Sequence, residues 1–258
     1  MSKEVIASIK AAFAKAGRRA AFCPLEALAD ICDYRDRLNT NGSLSKTLVE
    51  RYLSDFVYTP PEKLKAARSV VVVASPIGRT IIELDLERGR IEAVVPPTYG
   101  VAPLVAENAA ILATALASVD SGYDRARLPL KSLAARTGLA RYGRDNVLRF
   151  EGWGSYVRLD AWWTGIDAEG EPWGEELPLE RCSNCQACVR ACPNGCLAND
   201  RFLIDASRCL TFMNERPEPF PTWLDSKAHN AAVGCMRCQE ACPENARAPG
   251  KAVCRRIA

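Results

Sequence analysis

Seven cysteines packed into two short runs near the C-terminus, with one more between the runs, constrain this chain more than any other feature. The first run is Cys182-Ser-Asn-Cys185-Gln-Ala-Cys188-Val-Arg-Ala-Cys192-Pro193; the second is Cys235-Met-Arg-Cys238-Gln-Glu-Ala-Cys242-Pro243, with an isolated Cys209 before it. The first has the C-x2-C-x2-C-x3-C-P spacing of bacterial iron–sulfur proteins. Three closely spaced thiolates hold one cubane there, and the fourth points away to a neighbouring cluster. The proline fixes φ and removes an amide donor, which ends the loop. By this logic Cys182, Cys185, Cys188 and Cys242 hold one 4Fe-4S cluster. Cys192, Cys209, Cys235 and Cys238 hold the other. Zinc also takes C-x2-C pairs, but seldom with a third thiolate two residues on and then Cys-Pro. Disulfides would suit an exported chain, and no export signal is visible.

Of the 12 cysteines, Cys23, Cys32, Cys196 and Cys254 remain. Their spacing suits no third cluster, so they read as buried or idle thiols. The single histidine, His229, lies in the polar stretch Ser-Lys-Ala-His-Asn and reads as a loop residue rather than a ligand.

Composition sets the remaining bounds. The 258 residues suffice for one large domain or two smaller ones. No apolar run approaches the ~18 residues of a bilayer span, so no membrane is expected and the cytoplasm is. Ligation of two oxidised cubanes by eight thiolates would bring the formal charge of +3 to about −1. Bulk nucleic-acid binding is therefore not expected.

Upstream, Ile6, Ile9 and Phe13 have helical spacing and Gly17 follows as a stop. Residues 23–60 are mixed and turn-rich. The Val70–Val73 run predicts a buried strand. Residues 79–95 predict a hairpin, 101–119 a helix, 128–137 a second helix ending at Gly138, and 147–163 one or two strands. An acidic Pro- and Gly-rich stretch, 167–180, reads as a connection. The expected domains are 1–178 and 179–258, an α+β domain followed by a ferredoxin-like double 4Fe-4S module.

Several stretches carry a resemblance: Ala67–Ala74, Leu133–Leu139, Gly143-Arg144, Gly154-Ser155 and the whole cysteine module. Together they resemble the epoxyqueuosine reductase family and, through it, the reductive dehalogenases. The resemblance implies a nitroreductase-related, cobalamin-binding-like first domain and places Gly143, Arg144, Gly154 and Ser155 at the corrinoid. It also puts Asp124 at the family's acid position, where a carboxyl could deliver a proton; a helix N-cap or surface carboxylate is the alternative. Tyr142 is the second candidate donor, by similarity to a dehalogenase tyrosine. Arg144 could instead be an ordinary surface residue. Trp153, Trp162 and Trp163 could wall a macrocycle or form plain core.

The chain departs from the family too. The family's Gly-Leu-Gly-Trp-Ile-Gly-Lys-Asn reads Gly138-Leu-Ala-Arg-Tyr-Gly-Arg-Asp145 here. The C-terminal helical repeats of the reductases and the export signal of the dehalogenases are not seen. No Asp-x-His-x-x-Gly motif supplies a corrinoid ligand. Three functions follow as expectations. The first is an oxidoreductase passing electrons through two clusters to a corrinoid, with a small-molecule substrate and a reduced ferredoxin or flavodoxin-type donor. The second is an electron-transfer or reductive-activation protein for a partner corrinoid protein. The third is a tRNA epoxyqueuosine reductase-type enzyme.

Overall fold

The computed structural model describes residues 2–87, 89–99, 102–119, 121–199, 203–246, 248 and 253–257, the side chains of 86 and 253–257 excepted. In chain order the helices are α1 (Ser2–Lys15), α2 (Leu28–Thr40), α3 (Lys46–Leu48), α4 (Ala102–Leu116), α5 (Leu130–Arg136), α6 (Ala187–Ala191), α7 (Leu210–Asn214) and α8 (Arg237–Glu240). The strands are β1 (Arg19–Pro24), β2 (Ser69–Pro76), β3 (Thr80–Leu86), β4 (Gly89–Val95), β5 (Tyr123–Arg125), β6 (Arg141–Tyr142), β7 (Leu148–Arg149), β8 (Val157–Thr164) and β9 (Val253–Ile257). They fall into two compact units, residues 1–75, 101–141 and 158–177, and residues 76–100, 142–157 and 178–258.

The first unit is built on a four-stranded sheet in the order β1-β2-β8-β5. β1 and β2 pair antiparallel with Phe22 opposite Val71, and β5 pairs antiparallel with β8 so that Asp124 lies opposite Trp163. The unbroken Val70–Val73 run is fully buried, as a central strand with both faces covered must be. α1 lays Ile6, Ile9 and Phe13 on this sheet, together with Leu112 and Leu116 of α4 and Trp162. Trp162 and Trp163 are therefore core. A buried polar group closes one side. Asn108 Nδ2 donates to Asp160 Oδ2 at 3.1 Å, and Arg125 and Arg158 both reach Asp160 Oδ1 at 3.4 Å.

Two expectations need correcting here. The mixed stretch 23–60 contains a full helix, α2, of which only Leu28 and Ile31 are buried; so narrow an apolar stripe leaves little periodicity to read. Asp124 is not an N-cap. It sits within strand β5, and the residue preceding α5 as its cap is Pro129.

The second unit holds a sheet in the order β4-β3-β9, with β3 antiparallel to β4 and parallel to β9. The expected hairpin at 79–95 is β3–β4; its turn residue Arg88 lies outside the described residues. The remainder consists of the short β6–β7 pair and the cysteine-bearing segments with α6, α7 and α8. Among the described residues no helix is long and apolar enough to cross a membrane.

Candidate iron–sulfur site

Each cysteine run is folded around one short helix followed by a Cys-Pro stop. Residues Glu180–Ser183 form a 3-10 turn carrying Cys182, α6 carries Cys188, and Cys192 leaves the helix with extended ψ. The second run repeats the plan: α8 carries Cys238, and Cys242 precedes the 3-10 turn Pro243–Asn245. Cys209 sits at the N-terminus of α7. A small apolar cluster of Cys188, Cys196 and Leu197, with Cys192, Cys209 and Cys238 packed against it, brings members of both proposed ligand sets together.

The donor chemistry suits thiolates. Cys192 has its pKa lowered by a hydrogen bond from Cys196 and by the backbone amides of Cys196, Asn194 and Gly195. Cys209 is lowered in the same way, first by Cys196 and then by the amides of Phe212 and Thr211. Burial pushes Cys188 up to about 11 and raises Cys238 as well. Metal ligation takes the deprotonated thiol, so a cationic core would offset that burial. Asn230 Nδ2 donates to Cys235 Sγ at 3.2 Å while its Oδ1 accepts from Met236 N at 2.9 Å. Donors of this kind to cysteine sulfur are among the features that set cluster potential. Among the described residues no three His, Cys, Asp or Glu side chains converge as a single ion needs.

A buried arginine stands against one of these thiols. Arg149 Nε donates to Cys242 Sγ at 3.3 Å, and its Nη2 donates to Asp145 Oδ2 at 2.7 Å. Both side chains are almost fully buried, 4% and 0% exposed. Burial opposes the charge, but Asp145 and Cys242 outweigh it, and the guanidinium is held more firmly protonated than usual. The tight turn between β6 and β7 makes this possible. Gly143 admits the chain because a Cβ there would meet Asp145 Oδ1 at 2.7 Å and Val147 O at 3.0 Å.

Three of the residues expected at a corrinoid make contacts with the cysteine loops. Arg144 is buried, not on the surface. Its guanidinium donates to the backbone carbonyls of Asn199 and, at 2.8 Å, of Cys182. Ser155 N donates to Asn245 Oδ1 at 2.7 Å and Ser155 Oγ to Gln239 Oε1 at 2.8 Å. Gly154, at φ +65°, lies so close to Asn245 and Glu244 that a side chain would collide with them. The Gly-Ser pair and Arg144 thus brace the two cysteine loops. Sequence reasoning missed Asp145, and also Arg149, Gln239 and Asn245, each of which has a partner more than 80 residues away along the chain.

Asp124 pairs with Lys63 at 3.0 Å and is partly exposed. Tyr142 lies on β6, where its carbonyl accepts from Leu179 N at 2.8 Å. His229 is exposed and stacks edge-on against Phe220, with ring centroids 4.9 Å apart. Cys23 is buried in β1 and Cys32 half-buried in α2; the Cys254 side chain lies outside the described residues.

Comparison with known proteins places this geometry. Residues 181–245 match the family described as a 4Fe-4S double cluster binding domain. The chain is similar to the epoxyqueuosine reductase of Bacillus subtilis, 32% identical over 126 residues, which is 48% of this chain and 31% of that protein. A similar protein in Francisella cf. novicida is 28% identical over 127 residues. The chain thus aligns with about a third of the length of these curated relatives. Its fold matches a solved epoxyqueuosine reductase bound to an epoxyqueuosine-modified tRNA stem loop, with a TM-score of 0.66 at 23% identity over 95% of this chain and 65% of that one. It also matches the Bacillus subtilis enzyme with its catalytic aspartate loop swung out of the active site, at a TM-score of 0.65 and 23% identity over 94% of this chain and 64% of that one. The mixed helix–strand architecture with a double 4Fe-4S domain is that of these structures.

Proposed function

We propose that this chain is an iron–sulfur reductase of the epoxyqueuosine reductase type. The observation that carries this reading is the double-cluster match over 181–245, on a fold shared along 95% of the chain with a reductase solved on its modified tRNA stem loop. The third of the three functions expected from sequence is thus better supported than the first, which put the corrinoid foremost. In this reading Cys182, Cys185, Cys188 and Cys242 hold one cubane, and Cys192, Cys209, Cys235 and Cys238 the other. Removing an epoxide oxygen as water takes two electrons and two protons, and cubanes deliver electrons singly.

The finer reading keeps residues 1–178 as a nitroreductase-related, corrinoid-binding-like domain and 179–258 as the electron module. A corrinoid would supply a strongly reducing, nucleophilic metal centre. Asp124, whose carboxyl lies 3.0 Å from Lys63 Nζ, would relay the proton, and Tyr142 is the second candidate. Arg144, Gly154 and Ser155 we read as positioning residues that fix the cluster loops, since their contacts run to Cys182, Gln239 and Asn245. A reduced ferredoxin or flavodoxin would feed the clusters.

The test is anaerobic. Reconstituted protein is incubated with cob(II)alamin, gel-filtered, and supplied with an epoxyqueuosine-modified tRNA stem loop and a reductant. The epoxide should be lost, and the retained corrinoid should show an electron paramagnetic resonance spectrum without nitrogen splitting from a protein histidine. Intact clusters with neither corrinoid retention nor epoxide loss would replace this reading with the electron-transfer one.

A further inference from the structure

We propose that Cys196 is a reserve ligand of the second cluster, placed to take the iron corner held by Cys192 or Cys209 when that thiolate is lost. This rests on the reading of Cys192, Cys209, Cys235 and Cys238 as a cubane set. Cys196 Sγ lies 3.3 Å from Cys192 Sγ, and Cys209 packs against the same small cluster of Cys188, Cys196 and Leu197. It is therefore a fifth thiol against two members of one set, buried to 6% exposure.

The backbone builds this placement. Pro193 ends α6, and Gly195 at φ +60° turns the chain so that residue 196 returns beside residue 192. Asn194 Nδ2 donates to Arg208 O at 2.9 Å, and Arg208 Nε donates back to Asn194 O at 2.9 Å. Asp205 N donates to Cys196 O at 2.9 Å. These three bonds hold the 192–196 turn against the segment that ends at Cys209. Cys196 is held beside Cys192 because two loops are tied together by backbone and side-chain hydrogen bonds.

A buried cysteine is ordinarily a small hydrophobe, and alanine would then serve as well at 196. The proposed exchange differs in chemistry. One iron–thiolate bond is lost and one is formed. The proton given up by the Cys196 thiol goes to the departing cysteine thiolate, and no electron moves. When residue 192 or 209 is serine, its weakly ligating oxygen is displaced and takes up the Cys196 proton. Cys235 has no such neighbour among the described residues: its sulfur is approached by Asn230. Loss of Cys235 should therefore find no substitute.

The experiment compares iron, acid-labile sulfide and the electron paramagnetic resonance of the reduced clusters in anaerobically purified wild type, Cys196→Ala, Cys192→Ser, Cys235→Ser and Cys192→Ser/Cys196→Ala. Wild type and Cys196→Ala should each hold about eight iron, and Cys192→Ser should keep about eight with altered g-values for one cluster. Cys235→Ser and the double variant should fall to about four. Equal iron loss in Cys192→Ser and the double variant overturns the proposal. Wild type without about eight iron overturns the cluster reading itself. If Cys192→Ser does not accumulate, the same comparison at Cys209 decides; failure of both single variants also counts against a reserve ligand.

Discussion

Turnover of an epoxyqueuosine-modified tRNA stem loop should fall ~100- to 10,000-fold in Asp124→Asn, the range typical of losing a general acid. The substitution keeps the size of the side chain and removes its transferable proton. The structure makes the test clean. Asp124 is partly exposed on the three-residue edge strand β5, and its salt bridge to Lys63, itself 71% exposed, spans 3.0 Å. Exposed pairs of this kind contribute ~0–1 kcal/mol, so the fold should hardly notice the change. The strand pairing of Asp124 with Trp163 is made by the backbone and survives. Lys63→Met gives the complementary arm. It should slow turnover by less than Asp124→Asn, because it removes only the partner that holds the carboxylate in place. Cluster content and cob(II)alamin reduction should be unchanged in both. Activity within a few-fold of wild type would remove Asp124 from the mechanism and make Tyr142→Phe the next variant. Loss of corrinoid binding would make Asp124 a pocket residue instead.

The second large effect concerns stability. Arg149→Met should destabilise the protein by about 3–5 kcal/mol, because it leaves the Asp145 carboxylate buried without its partner. Asp145 is fully enclosed, and its remaining hydrogen bond, from Val147 N at 3.2 Å, is to a neutral donor. The double change Arg149→Met/Asp145→Asn should recover most of the loss, since asparagine can still accept from Val147 N and no charge remains. The comparison is of urea midpoints measured anaerobically with clusters loaded. The double variant also separates stability from electrostatics. Its cluster at Cys242 should have a lower reduction potential than wild type, because the hydrogen bond to the ligand sulfur is gone while the two removed charges cancel. A single variant within 1 kcal/mol of wild type would mean that water reaches Asp145, and an unchanged potential would mean that the 3.3 Å contact has no bearing on the cluster.

What the sequence made legible was local. Ile6, Ile9 and Phe13 share one face of α1, and their spacing predicts that face directly. The Val70–Val73 run predicts β2, and the alternation of Ile82 and Leu84 with charged residues predicts the first strand of the hairpin. The cysteine runs are legible for the same reason, since a cubane's first three ligands fit within seven residues. The missed parts are set by distant partners. β1 is a short apolar run that becomes a strand by pairing with β2, and β5 is three residues that pair with Trp162–Thr164. β9 joins β3 across most of the chain. Arg149 meets Cys242 across 93 residues, and Ser155 meets Asn245 across 90. No periodicity records such a meeting. Arg144, Gly154 and Ser155 drew attention through a family pattern, but the pattern does not say that they brace the cysteine loops. Cys196 looked idle because its spacing matches no motif; its value lies in a turn that returns it to Cys192.

The measurement that bears most directly on all of this is the iron, acid-labile sulfide and zinc content of anaerobically purified protein. Two cubanes on Cys182, Cys185, Cys188, Cys242 and on Cys192, Cys209, Cys235, Cys238 require about eight iron and about eight sulfides per chain, with negligible zinc. One tightly bound zinc per chain with little or no sulfide would contradict it.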